Sequence, residues 1–219
     1  PVIKFLKKKN WDLDEIINTH HHHDHVGGNL ELKNKFNCKI VGNFHDKKRI
    51  PGIDIGLKDS EIFNVGGIQL KVIETPGHTV GHICYYSNEN DLLFSGDTLF
   101  SLGCGRIFEG SYEQMAESIL KLRSLPGKTK IYCGHEYTHS NAKFAFYLDN
   151  KNLKLKRKIQ HIKNKREKSQ STIPSTIFEE IELNPFMKFD DKKYLDSIGI
   201  KNVSSTENFR KIRKMKDEF

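Results

Sequence analysis

Between Thr19 and His25 the chain reads THHHHDH, and no other stretch restricts its fold so tightly. Neighbouring side chains on an extended segment point to different sides, so the spacing carries the information rather than the run itself. His20 and His22 share one side, whereas Asp24 and His25 are displaced toward a second point. The pattern H-x-H-x-D-H can thus hand two ligands to each of two metal ions. His21 and His23 become interleaved positions, expected as packing or supporting groups. The run follows the strand-like Glu15-Ile16-Ile17-Asn18 and leads through Val26-Gly27-Gly28 toward a helical pattern. It therefore belongs to the interior of a fold and is not a terminal tag.

Two metals need further ligands, and three candidates stand at the ends of predicted strands. His78 follows Thr75-Pro76-Gly77, Asp97 follows Phe94-Ser95-Gly96, and His135 follows Tyr132-Cys133-Gly134. In each case a glycine lets the chain turn sharply so that the next side chain points back over the strand ends. No nucleophile competes, since Ser95 and Ser101 lack a spare base and no G-x-S-x-G elbow is present. The four cysteines are far apart and form no C-x-x-C pair, which excludes a zinc ribbon and a redox dithiol.

The first 135 or so residues alternate strand and helix patterns, and the remainder is almost wholly helical. Strands are predicted at Lys39–Val41, Ile68–Glu74, Ile83–Tyr86, Leu92–Ser95 and Lys130–Cys133. Asn29 is expected to cap a short helix through Phe36, and Ser140 to cap one holding Phe144 and Leu148. Ser111 with Gln114, and Thr176 with Glu179, read as capping boxes. A last helix is expected from Thr206 to the C-terminus, with Phe209, Ile212 and Phe219 available for packing. No apolar run approaches the roughly 18 residues of a membrane span.

The net charge of +8 invites a nucleic-acid reading. Nine Lys and Arg against one Glu fall between Lys151 and Gln170, and the rest of the chain balances at 27 basic and 27 acidic groups. The protein is a neutral body with one basic segment. Leu155, Ile159 and Ile162 give that segment an apolar stripe, so a solvated helix face is expected there.

The segments THHHHDHVGG, TPGHTVGH, SGDTLF and CGHEYT resemble the metallo-β-lactamase-fold hydrolases. Within them the chain resembles the glyoxalase II, or hydroxyacylglutathione hydrolase, family through GCGRIFEGS, STIPSTIFEE, NPFM and the terminal FRKIRKMKDEF. The resemblance spans essentially the whole chain. It implies an α/β fold, an αββα sandwich over residues 1–137, followed by a helical substrate-binding domain over residues 138–219. In the family pattern His20, His22 and His78 bind one metal, Asp24, His25 and His135 bind the other, and Asp97 bridges both together with a hydroxide. Asp24 and Asp97 also orient that hydroxide. His82, in the GHTVGH segment, is expected as a supporting group. The family builds its first strands before the histidine motif, and only eighteen residues precede Thr19, so those strands are expected to be missing and a sheet edge exposed.

The resemblance further implies S-D-lactoylglutathione as substrate and two divalent metals, with Zn expected and Fe or Mn compatible with the donors. Arg213 and Lys216, three apart on the last helix, are expected to grip the glycine carboxylate. Arg106 stands where the family often has Lys, Phe108 where many members have Tyr, and Tyr137 is a further contact candidate. A cytoplasmic protein is expected, as a monomer or weak dimer, without nucleic-acid or membrane partners. Three rivals share the fold: a persulfide dioxygenase using one iron, a nuclease employing the basic segment, and a non-catalytic binding module, which would need a broken ligand set where all seven candidates are present. The R-x-x-K ending argues against the first, and the lack of interleaved aromatics in the basic segment against the second.

Overall fold

Runs of β-branched, leucine and aromatic residues pair into two sheets that face each other, and the computed structural model describes all 219 residues. Strands β1 (Glu15–Ile17), β2 (Lys39–Asn43) and β3 (Ile55–Leu57) form a parallel sheet in that order. Strand β1 pairs only with β2 and is its edge. Strands β4 (Ile62–Val65), β5 (Ile68–Glu74), β6 (Ile83–Ser87) and β7 (Leu92–Gly96) run as an antiparallel meander. A small hairpin follows, β8 (Leu99–Phe100) with β9 (Gly103–Cys104). Strand β10 (Lys130–Cys133) adds parallel to β7, and β11 (Ser175–Thr176) then closes the six-stranded sheet.

Strand β6 shows why the layers stack as they do, since all five of its residues are buried. Its period of two sends Ile83 and Tyr85 into the inter-sheet core with Val41, Leu57, Leu70 and Val72. Cys84 and Tyr86 face the opposite way, into the core that also holds Met115, Ile119 and Leu122. Those three line one side of the helix at Tyr112–Arg123, and the other outer layer packs Val26 with Ile40 and Ile50. The order is thus helix, sheet, sheet, helix.

Helices α1 (Val2–Lys9), α2 (His23–Val26), α3 (Asn29–Phe36) and α4 (Tyr112–Arg123) belong to the first half. Helices α5 (Thr138–Leu148), α6 (Leu153–Glu167), α7 (Ile177–Leu183), α8 (Lys192–Ser197) and α9 (Ser205–Glu218) make the second. The reciprocal capping box of Ser111 and Gln114 opens α4, and Thr176 accepts from the Glu179 N–H at the start of α7. Two expected caps are corrected. Gly28 occupies the position before α3, because the buried Asn29 amide donates instead to Asn18 Oδ1 (2.8 Å) across the fold. Helix α5 begins at Thr138 without a side-chain cap, and Ser140 lies inside it, donating back to the Tyr137 carbonyl. Helix α1 was not signalled by the sequence pattern, and of Phe209, Ile212 and Phe219 the last remains largely exposed.

The basic segment is α6, which buries Leu155 and Ile162. Its outward charges pair with acids of neighbouring elements: Lys154 with Glu182, Lys158 with Glu179 (2.9 Å) and Arg166 with Glu136 (3.7 Å). Such exposed pairs contribute little individually, but they account for much of the charge as a solvated helix face.

Glu180 of α7 is fully buried where the two halves meet, and burial pushes its carboxyl up to about 7. The folded protein therefore holds a proton there that the unfolded chain releases from the ordinary value of 4.5 upward. Stability contributed by this protonation falls as pH rises across that window. In urea titrations the gap between the parent and Glu180→Gln should shift in the variant's favour between pH ~4.5 and pH ~7, by on the order of 3 kcal/mol. A gap independent of pH would show that Glu180 is ionised throughout.

Candidate metal centre

The histidine run leaves the end of β1 extended as far as His22, where the chain becomes helical at His23. That switch separates the two ligand pairs. His20 Nε2 lies 3.1 Å from His22 Nδ1, and His78 Nε2 lies 2.9 Å from the same atom. His25 Nε2 and Asp24 Oδ2 turn instead toward His135 Nε2, at 3.3 and 3.2 Å from it. Asp97 stands between the two groups. Its Oδ1 is 3.3 Å from His25 Nε2, and its Oδ2 is 3.3 Å from His135 Nε2 and 3.7 Å from His78 Nε2.

These atoms have too few protons to satisfy one another. His78 Nδ1 donates to the Arg106 carbonyl at 2.7 Å, which leaves its Nε2 as a bare lone pair. His22 Nδ1 carries at most one proton and cannot bond both of its ring neighbours. Burial holds His20, His22 and His78 below the ordinary imidazole value, so they are neutral, the form that binds a cation. Oδ1 of Asp97 is buried without a hydrogen-bond partner. At the first point neutral nitrogens converge. At the second the Asp97 carboxylate outweighs burial and raises the His25 imidazole, whose proton a cation would replace. With the carboxylate oxygens of Asp24 and Asp97 this is a donor set that fits two divalent cations, and three groups of potential ligands overlap there.

Asp97 is placed by its backbone. Gly96, at φ 48°, turns the chain where a Cβ would strike the Thr19 side chain and the His82 ring. The Asp97 N–H then donates to His82 Nε2 at 3.0 Å. His82 Nδ1 meets Thr75 Oγ1 and Thr98 Oγ1 at 2.8 and 3.0 Å, and burial pushes this imidazole down to about 3. His82 thus fixes the backbone of the candidate ligand Asp97. Beside His135 the Tyr137 ring stacks at 4.8 Å between centroids, and Phe108 lies edge-on to His22 and His78.

One group of supporting residues carried no motif in the sequence. His21 Nδ1 contacts Asp46 Oδ2 at 3.2 Å, and Arg49 joins Asp46 (2.5 Å) to Glu109 (2.6 Å). Glu109 also accepts from the Val80 N–H, two residues past His78. Asp46 and Arg49 sit in the loop after β2, far from the histidines in sequence, and only the sheet order brings them together.

A cleft of about 390 Å³ opens beside the ligands, bounded by His78 and Asp97 at one end. Arg106, Phe108, Tyr137, Arg213 and Lys216 all line it. The two expected cations of α9 differ in what they have free. Arg213 is 3% exposed and donates to the Cys104 carbonyl (3.0 Å) and to Asp217 (2.8 and 3.1 Å), so its charge already has a counterion. Lys216 has no carboxylate within salt-bridge distance and lies over the Phe144 and Phe219 rings at 5.3 Å each. Burial and the neighbouring Arg213 lower its pKa.

Residues 3–135 match the metallo-β-lactamase superfamily, and residues 136–219 match the hydroxyacylglutathione hydrolase C-terminus. A hydroxyacylglutathione hydrolase of Pelagibacter ubique is 51% identical over 219 residues, all of this chain and 86% of that relative. The chain belongs to the hydroxyacylglutathione hydrolase family. The family's enzyme from Methylococcus capsulatus is 44% identical, again over the whole chain and 86% of its own length. Among solved structures, ETHE1 from Myxococcus xanthus superposes with a TM-score of 0.64 at 21% identity, over 97% of this chain and 80% of that one. The BLEG-1 B3 metallo-beta-lactamase gives 0.63 at 23%, over 85% and 82%. At such identities these two share the fold alone.

Metal should couple to stability, since neutral ligands gathered in the folded chain are dispersed in the unfolded one. Chelation followed by readdition of Zn²⁺ should lower and then restore the melting temperature, with roughly 3 kcal/mol at stake for free metal at ~100 times its Kd. Elemental analysis of the same samples should find two ions per chain. A single ion would leave one of the two ligand groups without a metal.

Proposed function

We propose that the chain is a binuclear-metal thioesterase that hydrolyses S-D-lactoylglutathione to D-lactate and glutathione, a step of methylglyoxal detoxification. The observation that carries this reading is the meeting of both ligand groups at Asp97 on the floor of a cleft whose far wall is built by α5 and α9. Family membership supplies the substrate class, and the cleft supplies the matching chemistry.

His20, His22 and His78 would hold one cation, Asp24, His25 and His135 the other, and Asp97 both. Zinc is the expected metal, and iron and manganese also suit these donors. When bound, such ions would lower the pKa of water from its high bulk value toward about 7 and so supply hydroxide at neutral pH without a separate base. Asp97, which reaches both groups, and Asp24, beside His25 and His135, would orient the attacking oxygen. Its addition to the thioester carbonyl carbon is followed by cleavage of the C–S bond. A thiol of pKa near 8.5 departs readily as thiolate, so no side chain needs to act as general acid. The cysteines are no rivals as nucleophiles: burial pushes Cys84 up to about 12 and Cys104 and Cys133 to about 11, which keeps them protonated.

Glutathione brings carboxylates, and Lys216 is the cation with no counterion. Arg106, exposed at the cleft mouth, and Arg213 add positive potential, while Tyr137 offers a hydroxyl and Phe108 an apolar edge to the peptide. We place the activity in the cytoplasm as a monomer or weak dimer acting on a small molecule: the four thiols are free, which suits a reducing compartment, and no helix is long and apolar enough to cross a membrane.

The deciding experiment follows loss of the lactoylglutathione thioester before chelation, after chelation and after metal return. Asp97→Asn should reduce kcat by roughly 10²-fold or more. Lys216→Ala should raise KM roughly tenfold with kcat little changed, the signature of lost uniform binding. Turnover that survives Asp97→Asn intact would place the reaction elsewhere.

A further inference from the structure

The β8–β9 hairpin belongs by sequence to the first half of the chain, yet its main chain is held by side chains of the second. Asn184 donates to the carbonyls of Phe100 (3.3 Å) and Gly103 (3.0 Å). Asn141 donates to the Ser101 carbonyl at 3.1 Å, and Glu180 Oε2 accepts from the Leu102 N–H at 2.7 Å. Arg213 completes the row on the Cys104 carbonyl at 3.0 Å. Five consecutive residues, 100 to 104, are thus each held through a backbone group by a helix or loop of the C-terminal half. Leu102, at the tip, adopts φ 59°, a conformation a leucine rarely takes unaided. Its side chain is buried among Ala142, Ala145, Leu155, Ile162 and Leu183, inside the core of the helical half.

Both ends of this hairpin lead into the candidate metal centre. Thr98, one residue before β8, follows Asp97 directly, and the Gly105 N–H after β9 donates to the Thr98 carbonyl at 3.2 Å. A Cβ on Gly105 would run into the Asp97 carbonyl oxygen, so the two strand ends are pressed together behind the ligand. The next carbonyl, that of Arg106, receives the His78 Nδ1 proton. A hydrogen bond of this kind fixes which ring nitrogen is bare and where it points.

We propose that Asn184 and Glu180 are positioning residues for the metal centre: acting through the β8–β9 hairpin, they set Asp97 and the Arg106 carbonyl, and through that carbonyl the ring of His78. Neither side chain lines the cleft, so neither contacts substrate. They also hold each other, Asn184 Nδ2 to Glu180 Oε2 at 2.9 Å, and Asn184 Oδ1 accepts from the Phe186 N–H. The helical half is then part of the ligand scaffold as well as a wall of the cleft. This inference rests on the metal-centre reading proposed above.

The test compares full-length variants for metal affinity, by competition with a chromophoric chelator under Zn²⁺, alongside melting temperature. Asn184→Asp keeps the acceptor for Phe186 but removes both donations to the hairpin, and Glu180→Leu removes the acceptor for Leu102. Each should weaken Zn²⁺ binding roughly tenfold or more, with a matching loss of kcat. Glu180→Gln keeps an acceptor oxygen and should bind Zn²⁺ as the parent does. Asn208→Ala is the control for destabilisation, because this buried side chain bonds only Asn202 and Val203 within the same half; it should melt earlier yet keep parental affinity. If Asn184→Asp and Glu180→Leu lose melting temperature but not Zn²⁺ affinity, the residues are structural only and the inference is overturned. Should either fail to fold, the other, compared with Glu180→Gln and Asn208→Ala, decides. A parent that binds no Zn²⁺ would instead overturn the metal-centre reading, and this inference with it.

Discussion

Everything in the catalytic half turns on where Asp97 is held. A carboxylate buried without a donor on one oxygen and faced by three imidazoles is costly to assemble, and its surroundings fix it from several directions. Gly96 provides the turn, His82 takes the backbone N–H, and Gly105 closes against the carbonyl. His82 can take that proton because burial keeps its imidazole neutral, and its own Nδ1 is committed to two threonines. A charged His82 would have no acceptor to offer and would set a positive charge beside sites meant for cations. Neutrality of this one ring is therefore a condition for the placement of Asp97.

The gathering of the candidate ligands was legible in the sequence because spacing encodes direction. Strand ends and the glycines before His78, Asp97 and His135 say where a side chain can point, and the change from extended to helical chain at His23 divides the H-x-H-x-D-H pattern as spacing suggested. Strand placement was legible where alternation marks it, as at Ile68–Glu74, whereas Ile83–Ser87, buried throughout, shows in sequence as a short apolar run bounded by turn residues. The caps were less so. Asn29 has the composition of a cap, but its amide found a buried partner in Asn18, and a tertiary hydrogen bond outweighed the local one. Arg213 and Lys216 share a helix face as predicted, but spacing could not show that Asp217 and the Cys104 carbonyl would occupy the guanidinium.

Contacts made by topology alone were not legible. Asp46, Arg49 and Glu109 meet His21 only because the parallel β2 brings its C-terminal loop beside the motif. Glu180 and Asn184 lie about eighty residues from the hairpin they hold. In a single sequence such residues look like ordinary members of a capped helix, and nothing in their spacing points at a strand pair of the other half.

The run of four histidines can now be divided by geometry. His20 and His22 face the first candidate metal, His23 is exposed at the start of α2, and His25 beyond Asp24 faces the second. His21 points away from both and into the Asp46, Arg49 and Glu109 group, which also reaches the backbone beside His78 through Val80. The two loops that carry His22 and His78 are therefore braced against each other by a second set of contacts, separate from those of the β8–β9 hairpin. A ligand group supported from one side could relax by rotating its rings. Supported from two sides, His22 and His78 stay 2.9 Å apart and can share one proton, but His20, 3.1 Å from the same His22 nitrogen, is then left without one, so the three rings cannot satisfy one another without a cation.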